Sequence, residues 1–320
     1  MRMVHKNKSC LIVGAGMAGI TAAHFLRDRG WDVTLLDKGR VAGGRMATRR
    51  ADAATFDHGA QFFTVRDPRF EAAVGQWLEK DWVRPWFSDG GHTRYCGTEG
   101  MSCLATRLAQ QFEYYKATKV ERLEPAGEGW RILTDAGKEL CAHAVLLTAP
   151  APQSLELLAG CADRLPTSFV AALRSIVFDP CLAVMVSLAG QSRIPLPGYV
   201  RPEEGPVAFI ADNRQKGISP RETALTIHGS PSFSRSYIHG DRDEGVAALV
   251  EAASPWFGSP VVNLQAHFWK DSQPVGTWHE PFLFTADPAP LAVAGDAFAN
   301  PRIEGAFLSG LAAAQQIITE

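Results

Sequence analysis

Residues Cys10-Leu11-Ile12-Val13-Gly14-Ala15-Gly16-Met17-Ala18-Gly19 decide the fold. Their short, continuous apolar run is the pattern of a strand covered on both faces of a parallel sheet. It passes straight into a Gly-x-Gly-x-x-Gly turn. Ile20, Ala23 and Leu26 then share one face of a helix that Gly30 terminates. Val33-Thr34-Leu35-Leu36 reads as a second buried strand, closed by Asp37, 23 positions beyond Gly14. Gly14 permits the tight turn, Gly16 lets a pyrophosphate approach the backbone, and Gly19 brings the helix close to the sheet. The helix start adds free N–H groups and a positive dipole end. Asp37 can accept from adenosine ribose hydroxyls. A glycine-rich turn alone would mean little; the full βαβ spacing predicts a dinucleotide site.

The far end of the chain answers this motif. Leu291-Ala292-Val293-Ala294 runs into Gly295-Asp296, and a helix-like segment follows from Gly305. A nicotinamide dehydrogenase needs only the first element. A longer dinucleotide, lying across a sheet that the chain leaves and re-enters, uses both, so the expected cofactor is FAD. Between the two ends, residues 120–123, 130–134 and 139–142 read as a three-stranded meander with Gly-containing turns. Val145 to Thr148 returns to the buried parallel pattern and stops before Pro150. From Leu165 to Pro281 the texture changes: strand-like runs at 182–188 and 224–228, Pro-rich loops, and one helix over 244–253. The expected fold is α/β. A discontinuous Rossmann-type FAD domain takes residues 1–70, 96–164 and 282–320. An inserted substrate domain takes 71–95 and 165–281, with the active site at the seam.

The bulk properties narrow the class. A chain of 320 residues can bury a large core and should divide into two domains. A formal charge of -2, evenly spread, offers no basic block for nucleic acid. No run approaches the ~18 apolar residues of a membrane span. Arg2, Lys6 and Lys8 before an apolar stretch imitate a signal peptide, but cleavage would remove the fingerprint itself. The six cysteines show no CxxC pair and no metal-ligand spacing, so no metal is expected and they read as reduced. The expected location is the cytoplasm.

Further motifs narrow the family. Gly43-Gly44-Arg45-Met46 follows the second strand; paired glycines allow close approach to a ligand, and an arginine can reach pyrophosphate. Asp57-His58-Gly59-Ala60-Gln61-Phe62-Phe63 comes next, then Arg66 to Phe70, Gly100-Met101-Ser102, Thr148 to Gln153, and Arg302-Ile303-Glu304-Gly305-Ala306 with Ser309-Gly310. Together these resemble the flavin-containing amine oxidase superfamily, and within it the renalase branch, above all its bacterial members. The likeness spans the chain but is thin between Leu165 and Pro281. It implies a glutathione-reductase-like FAD domain, an α+β second domain built on an antiparallel sheet, and non-covalent FAD. Carried over by position, Gly14, Ala15, Gly16, Met17, Ala18 and Gly19 with Arg45 would contact pyrophosphate, and Asp37, followed by Lys38, the ribose. Gly44, Met46, Gly59, Ala60, Gln61 and Phe62 would border the flavin ring. Val120 would meet adenine through its backbone. Gly295 and Asp296 would face the pyrophosphate–ribityl part, and Ala149 and Pro150 complete the cofactor contacts. Arg302, Glu304, Gly305 and Ala306 open the last helix, whose N-terminus can stabilise negative charge on reduced flavin.

The same likeness directs Asn213, Arg214, His228 and Trp269 toward the substrate, with His267 in the same segment. His228 equally fits a hydrogen-bonded core histidine and Trp269 plain packing. The lysine that amine oxidases carry on the strand matching Cys181 to Ser187 is absent. Only Lys270 resembles a candidate, and an exposed lysine describes it better. No cysteine after Cys181 could hold a covalent flavin. The resemblance thus implies an oxidase that returns isomeric dihydronicotinamides (2- or 6-dihydro-NAD(P)) to NAD(P)+ by hydride transfer to flavin N5, with oxygen yielding hydrogen peroxide. An oxidase of amines or other small molecules, and a flavin-binding protein without turnover, are the alternatives.

Overall fold

A computed structural model describes residues 8–298 and 300–320. Arg2 and Lys6 of the signal-like charge pattern lie outside the described residues. The chain forms two compact units. One comprises residues up to Gly44 with Ala105–Val177 and Pro274–Glu320; the other comprises Arg45–Leu104 with Phe178–Gln273.

The first unit is built on a six-stranded sheet. Its order is Leu283–Thr285, Leu291–Val293, Ala144–Leu147, Ser9–Val13, Asp32–Leu36, Glu113–Tyr115. Every neighbouring pair is parallel except the edge pair formed by the first two. Ile12, Leu35, Leu146 and Val293 are fully buried, one on each of the four apolar runs visible in the sequence. Strands covered on both faces have no polar side to show, which is why these runs do not alternate. Helix Met17–Arg27 lies against helix Ile303–Ile317. A Cβ at Gly310 would fall on the Ala18 carbonyl oxygen, so only glycine admits this approach. The meander forms as expected at Val120–Ala126, Gly129–Thr134 and Glu139–Ala142. The indole of buried Trp130 donates to the Pro290 carbonyl at 3.0 Å.

The second unit carries a five-stranded sheet ordered Tyr199–Val200, Val207–Asp212, Thr223–Gly229, Phe178–Leu188, Val261–Pro274. The first four of these strands pair antiparallel, with Met185 opposite Thr226 and Ala211 opposite both Tyr199 and Thr226. Period-two alternation divides the side chains. Leu182, Val184 and Val186 join Leu225, Ile227 and Ile210 in a core with Leu249 and Ala253. Met185 and Ala224 meet Ala54 and Phe56 in a second cluster. Two hairpins complete the unit, Thr48–Ala51 with Ala54–Asp57 and Val83–Asp89 with His92–Gly97.

Leu165 to Pro281 is more helical than the sequence reading. Beside Arg242–Ala253, helices run over Thr167–Ser175 and Pro231–Ser236. Both begin at a proline signal: Pro166 precedes the first, and Ser230 with Pro231 at N1 starts the second. At nine and six residues they are too short for periodicity to reveal. Residues 45–70 and 96–104, expected with the dinucleotide domain, lie in the second unit, where Ala54–Asp57 packs on Thr223–Gly229. Leu165–Val177 lies in the first.

Candidate functional site

In the first unit, the carboxyl ends of four parallel strands carry the candidate cofactor residues. Val13 leads to Gly14, Leu36 to Asp37, Leu147 to Thr148-Ala149-Pro150, and Val293 to Gly295-Asp296. Ligands of open α/β sheets bind at this edge. Gly14 has φ +112°, and a Cβ there would strike the Thr148 hydroxyl, which donates to the Gly14 carbonyl at 2.9 Å. A Cβ at Gly19 would fall on the Gly14 carbonyl oxygen. Gly16 differs: its Cβ would meet nothing nearer than the Gly43 carbonyl at 4.0 Å. Beside Gly16 the turn is therefore open, and Met17–Arg27 starts without a side-chain cap. A cradle of this form, with free N–H groups at its end, fits a dinucleotide pyrophosphate.

Asp37 is half-buried. Its carboxylate accepts from the Ala15 amide at 2.7 Å and the Gly39 amide at 2.6 Å, and burial raises its pKa against those two bonds. Lys38 is exposed and reaches Gln153 at 2.8 Å. Val120 is buried at the start of the meander. The Gly295 amide donates to Ser309. Arg302 caps the last helix, Glu304 and Gly305 are buried inside its first turn, and the Ala306 amide donates to the Arg302 carbonyl at 2.9 Å.

Gly44 ends the first segment of the first unit, and the second unit gathers the remaining candidates. The Ala60 amide donates to the Arg45 carbonyl at 2.8 Å, tying the Gly59 to Phe62 turn to Arg45-Met46. Gln61 is buried and donates to the Gly59 carbonyl at 3.1 Å. The Arg45 guanidinium donates to the Ser272 carbonyl at 3.0 Å and lies over the Phe178 ring. The sequence reading directs this guanidinium to pyrophosphate.

The carbonyl of His58 is the centre of a second group. It accepts from the Trp269 indole at 2.9 Å and from His228 Nε2 at 3.2 Å. A carbonyl offers no proton, so His228 Nε2 carries one. The Trp269 ring stacks on His58 at 5.4 Å, and His267 stands edge-on to both. His228 and Trp269 are thus brought together, with His58 and His267 beside them. Desolvation lowers the His58 pKa to about 3, helped by Arg49, His267 and His228, and lowers that of His228 to about 4. Burial also lowers that of His267. The cluster is uncharged near neutral pH. His58 Nδ1 is buried and has no hydrogen-bond partner, an unmet demand of the kind a ligand satisfies.

Because the folded His58 and His228 resist protonation, the unfolded chain takes up protons first. Stability present above about pH 6.5 is then lost as pH falls toward 4, and each histidine contributes a loss of about 2 kcal/mol by pH 5. Urea unfolding of the wild type and of His228→Gln at pH 7 and pH 5 measures this. An identical pH dependence in both proteins would exclude His228 as a source.

Asn213 and Arg214 are placed differently. Asn213 is fully buried: its amide donates to the Ala224 carbonyl and Thr226 Oγ1, both at 3.0 Å, and its oxygen accepts from the Asp57 amide. Its bonds are spent on joining strands. Arg214 is exposed and reaches Thr223 at 3.4 Å. Lys270 is exposed, as the sequence implied. Sequence reasoning missed Lys216, which is fully buried and bonds Asp57 Oδ2 at 2.7 Å, with Gln61 Oε1 at 3.4 Å and the Trp86 ring at 4.8 Å. Asp57 Oδ1 also accepts from Thr48 Oγ1 at 2.6 Å and the Met101 amide at 2.9 Å. No local signal marks Lys216, since its partner is 159 positions away.

Residues 12–77 match a model of NAD(P)-binding Rossmann-like domains, and residues 77–318 match that of the flavin containing amine oxidoreductases. The chain belongs to the flavin-containing amine oxidoreductase family. It is an FAD-dependent oxidoreductase. Mouse renalase is 24% identical over 94% of this chain and 96% of its own. Hydroxyneurosporene desaturase of Rubrivivax gelatinosus is 47% identical over 66 residues, 20% of this chain and only 13% of the desaturase. Among solved structures, putrescine oxidase superimposes with TM-score 0.70 at 13% identity, covering 98% of this chain and 99% of the other. A putative protoporphyrinogen oxidase from Exiguobacterium sp. 255-15 gives 0.67 at 14%, covering 99% and 100%. At such identities the likeness is one of fold. Among the described residues no helix is long and apolar enough to cross a membrane.

Proposed function

We propose that this oxidoreductase is renalase-like and oxidises 2- or 6-dihydro isomers of NAD(P)H to NAD(P)+. The donor ring carbon gives up a hydride. Dioxygen takes the two electrons with that hydrogen and one solvent proton, giving hydrogen peroxide. FAD, held non-covalently, supplies the two-electron acceptor when bound. In this reading Gly14 to Gly19 cradle its pyrophosphate, Asp37 takes the ribose, Val120 the adenine, Asp296 the ribityl end, and Gly44, Met46 and Gly59 to Phe62 border the ring. The observation that carries the reading is the uncharged group of His58, His228, His267 and Trp269. It offers flat rings whose own imidazoles carry no charge near neutral pH, which suits packing against a planar nicotinamide. Hydride transfer asks mainly for orientation at about 3–3.5 Å, and a pocket shaped for one isomer misplaces the others. The small-molecule donor, oxygen and a cytoplasmic location complete the proposal.

Anaerobic mixing of the oxidised protein with 2- and 6-dihydro-NAD(P), ordinary NADPH and putrescine tests it. Flavin absorbance should bleach rapidly with the isomers, slowly with NADPH and not at all with the amine. Fast bleaching by putrescine with inert isomers would overturn the proposal and assign an amine oxidase.

A further inference from the structure

We propose that a cavity of the second unit, framed by aromatic rings and carrying Arg94 and Arg201, receives the purine nucleoside diphosphate tail of the dinucleotide substrate; this rests on the dinucleotide reading above. The cavity measures about 580 Å³, within the usual span of small-ligand sites. Its lining includes Phe62, the last residue of the run that the proposed function sets beside the flavin ring, four positions from His58. Phe62, Phe87 and Tyr199 line it.

The sheet builds these walls. Tyr199 pairs with Ala211, two residues from Phe209 on the neighbouring strand, so both rings stand on one face. They are nearly parallel at 5.7 Å and 8°, and Phe87 of the hairpin stacks on Tyr199 at 4.3 Å and 24°. Phe62 meets Phe87 edge-on at 5.5 Å. Phe62, Phe87 and Tyr199 stay partly exposed and give the cavity an aromatic wall against which a purine can pack.

Two guanidiniums define the charge. Arg94 lies 5.6 Å from the Phe62 ring centroid, and Arg201 lies 5.6 Å from that of Phe209. The exposed carboxylate of Asp89, 3.6 Å from Arg94, also lines the cavity, so the two guanidiniums and this one acid leave the lining with a net positive charge. Arg201 has no acidic partner among the described residues. A guanidinium presents paired donors that match phosphate oxygens. The cavity therefore favours a planar group joined to phosphates and repels an amine, which separates the two substrate classes by charge.

Two arms test this on the FAD-loaded full chain, using the wild type and the double variant Arg94→Met/Arg201→Met. Calorimetry with ADP should show saturable binding that the double variant weakens about tenfold. Stopped-flow reduction should give a Kd for 6-dihydro-NADP raised by a similar factor, while that for the matching 6-dihydronicotinamide mononucleotide moves less than about twofold. Wild-type protein that does not bind ADP, or binding that ignores both arginines, overturns the proposal. ADP binding lost with the arginines while the dinucleotide Kd stays put assigns a free-nucleotide site and overturns the tail assignment. If the mononucleotide and dinucleotide isomers are both inert, the dinucleotide reading has failed and the tail assignment falls with it; if they react with equal Kd, only the tail assignment fails.

Discussion

Lys216→Met should lower the stability of the protein by about 3–5 kcal/mol. The substitution leaves Asp57 fully buried with one oxygen stripped of its cation. Water cannot replace the ammonium, so the carboxylate carries an uncompensated desolvation cost. Its other oxygen still bonds Thr48 and Met101, which holds the charge in place rather than letting it swing outward. Adding Asp57→Asn to Lys216→Met should restore part of the loss, because the amide removes the charge and keeps an acceptor for those two donors. Urea unfolding at pH 7 measures all three proteins. A loss below about 1 kcal/mol in the single variant would show that the pair is structurally idle.

Gly16→Val should yield a folded protein almost free of FAD. The position has open space where a pyrophosphate is expected. A Cβ placed on Gly16 would still stand 4.0 Å from the Gly43 carbonyl, so the substitution meets no backbone clash at Cβ and its branches take the space of the ligand. Loss of a ligand present at a thousand times its Kd removes about 4 kcal/mol of apparent stability. The ratio of flavin to protein absorbance after gel filtration reads the effect directly. Normal FAD content in this variant would reduce the fingerprint to an ordinary turn.

What the sequence disclosed follows from how each element is held. Strands Ser9–Val13, Asp32–Leu36, Ala144–Leu147 and Leu291–Val293 are buried on both faces, so their character is written in consecutive apolar residues. The phosphate turn is equally local, because its glycines answer to neighbours within a few positions. The second unit hides more. Val261–Pro274 is a long, half-exposed strand rich in polar residues, and only pairing with Phe178–Leu188 makes it one. Lys216 looks like any surface lysine until Asp57 arrives beneath it. Asn213 was singled out by likeness, yet its bonds to Ala224 and Thr226 show it holding strands together. Tyr199, Arg94 and Arg201 sit on separate strands and loops, so no spacing announces the cavity they share.

The distribution of the sheet's carboxyl ends also bears on how the protein is made. Gly14 and Asp37 emerge from the ribosome early, but Gly295, Asp296 and helix Ile303–Ile317 emerge near the end of this sequence. Parallel pairing of Ala144–Leu147 with Leu291–Val293, and the seating of Gly310 against Ala18, must wait for that last stretch. Non-local pairings of this kind close slowly. The nascent chain therefore carries an exposed sheet edge until Leu291–Val293 arrives, and under the proposed reading cofactor capture follows that pairing rather than preceding it.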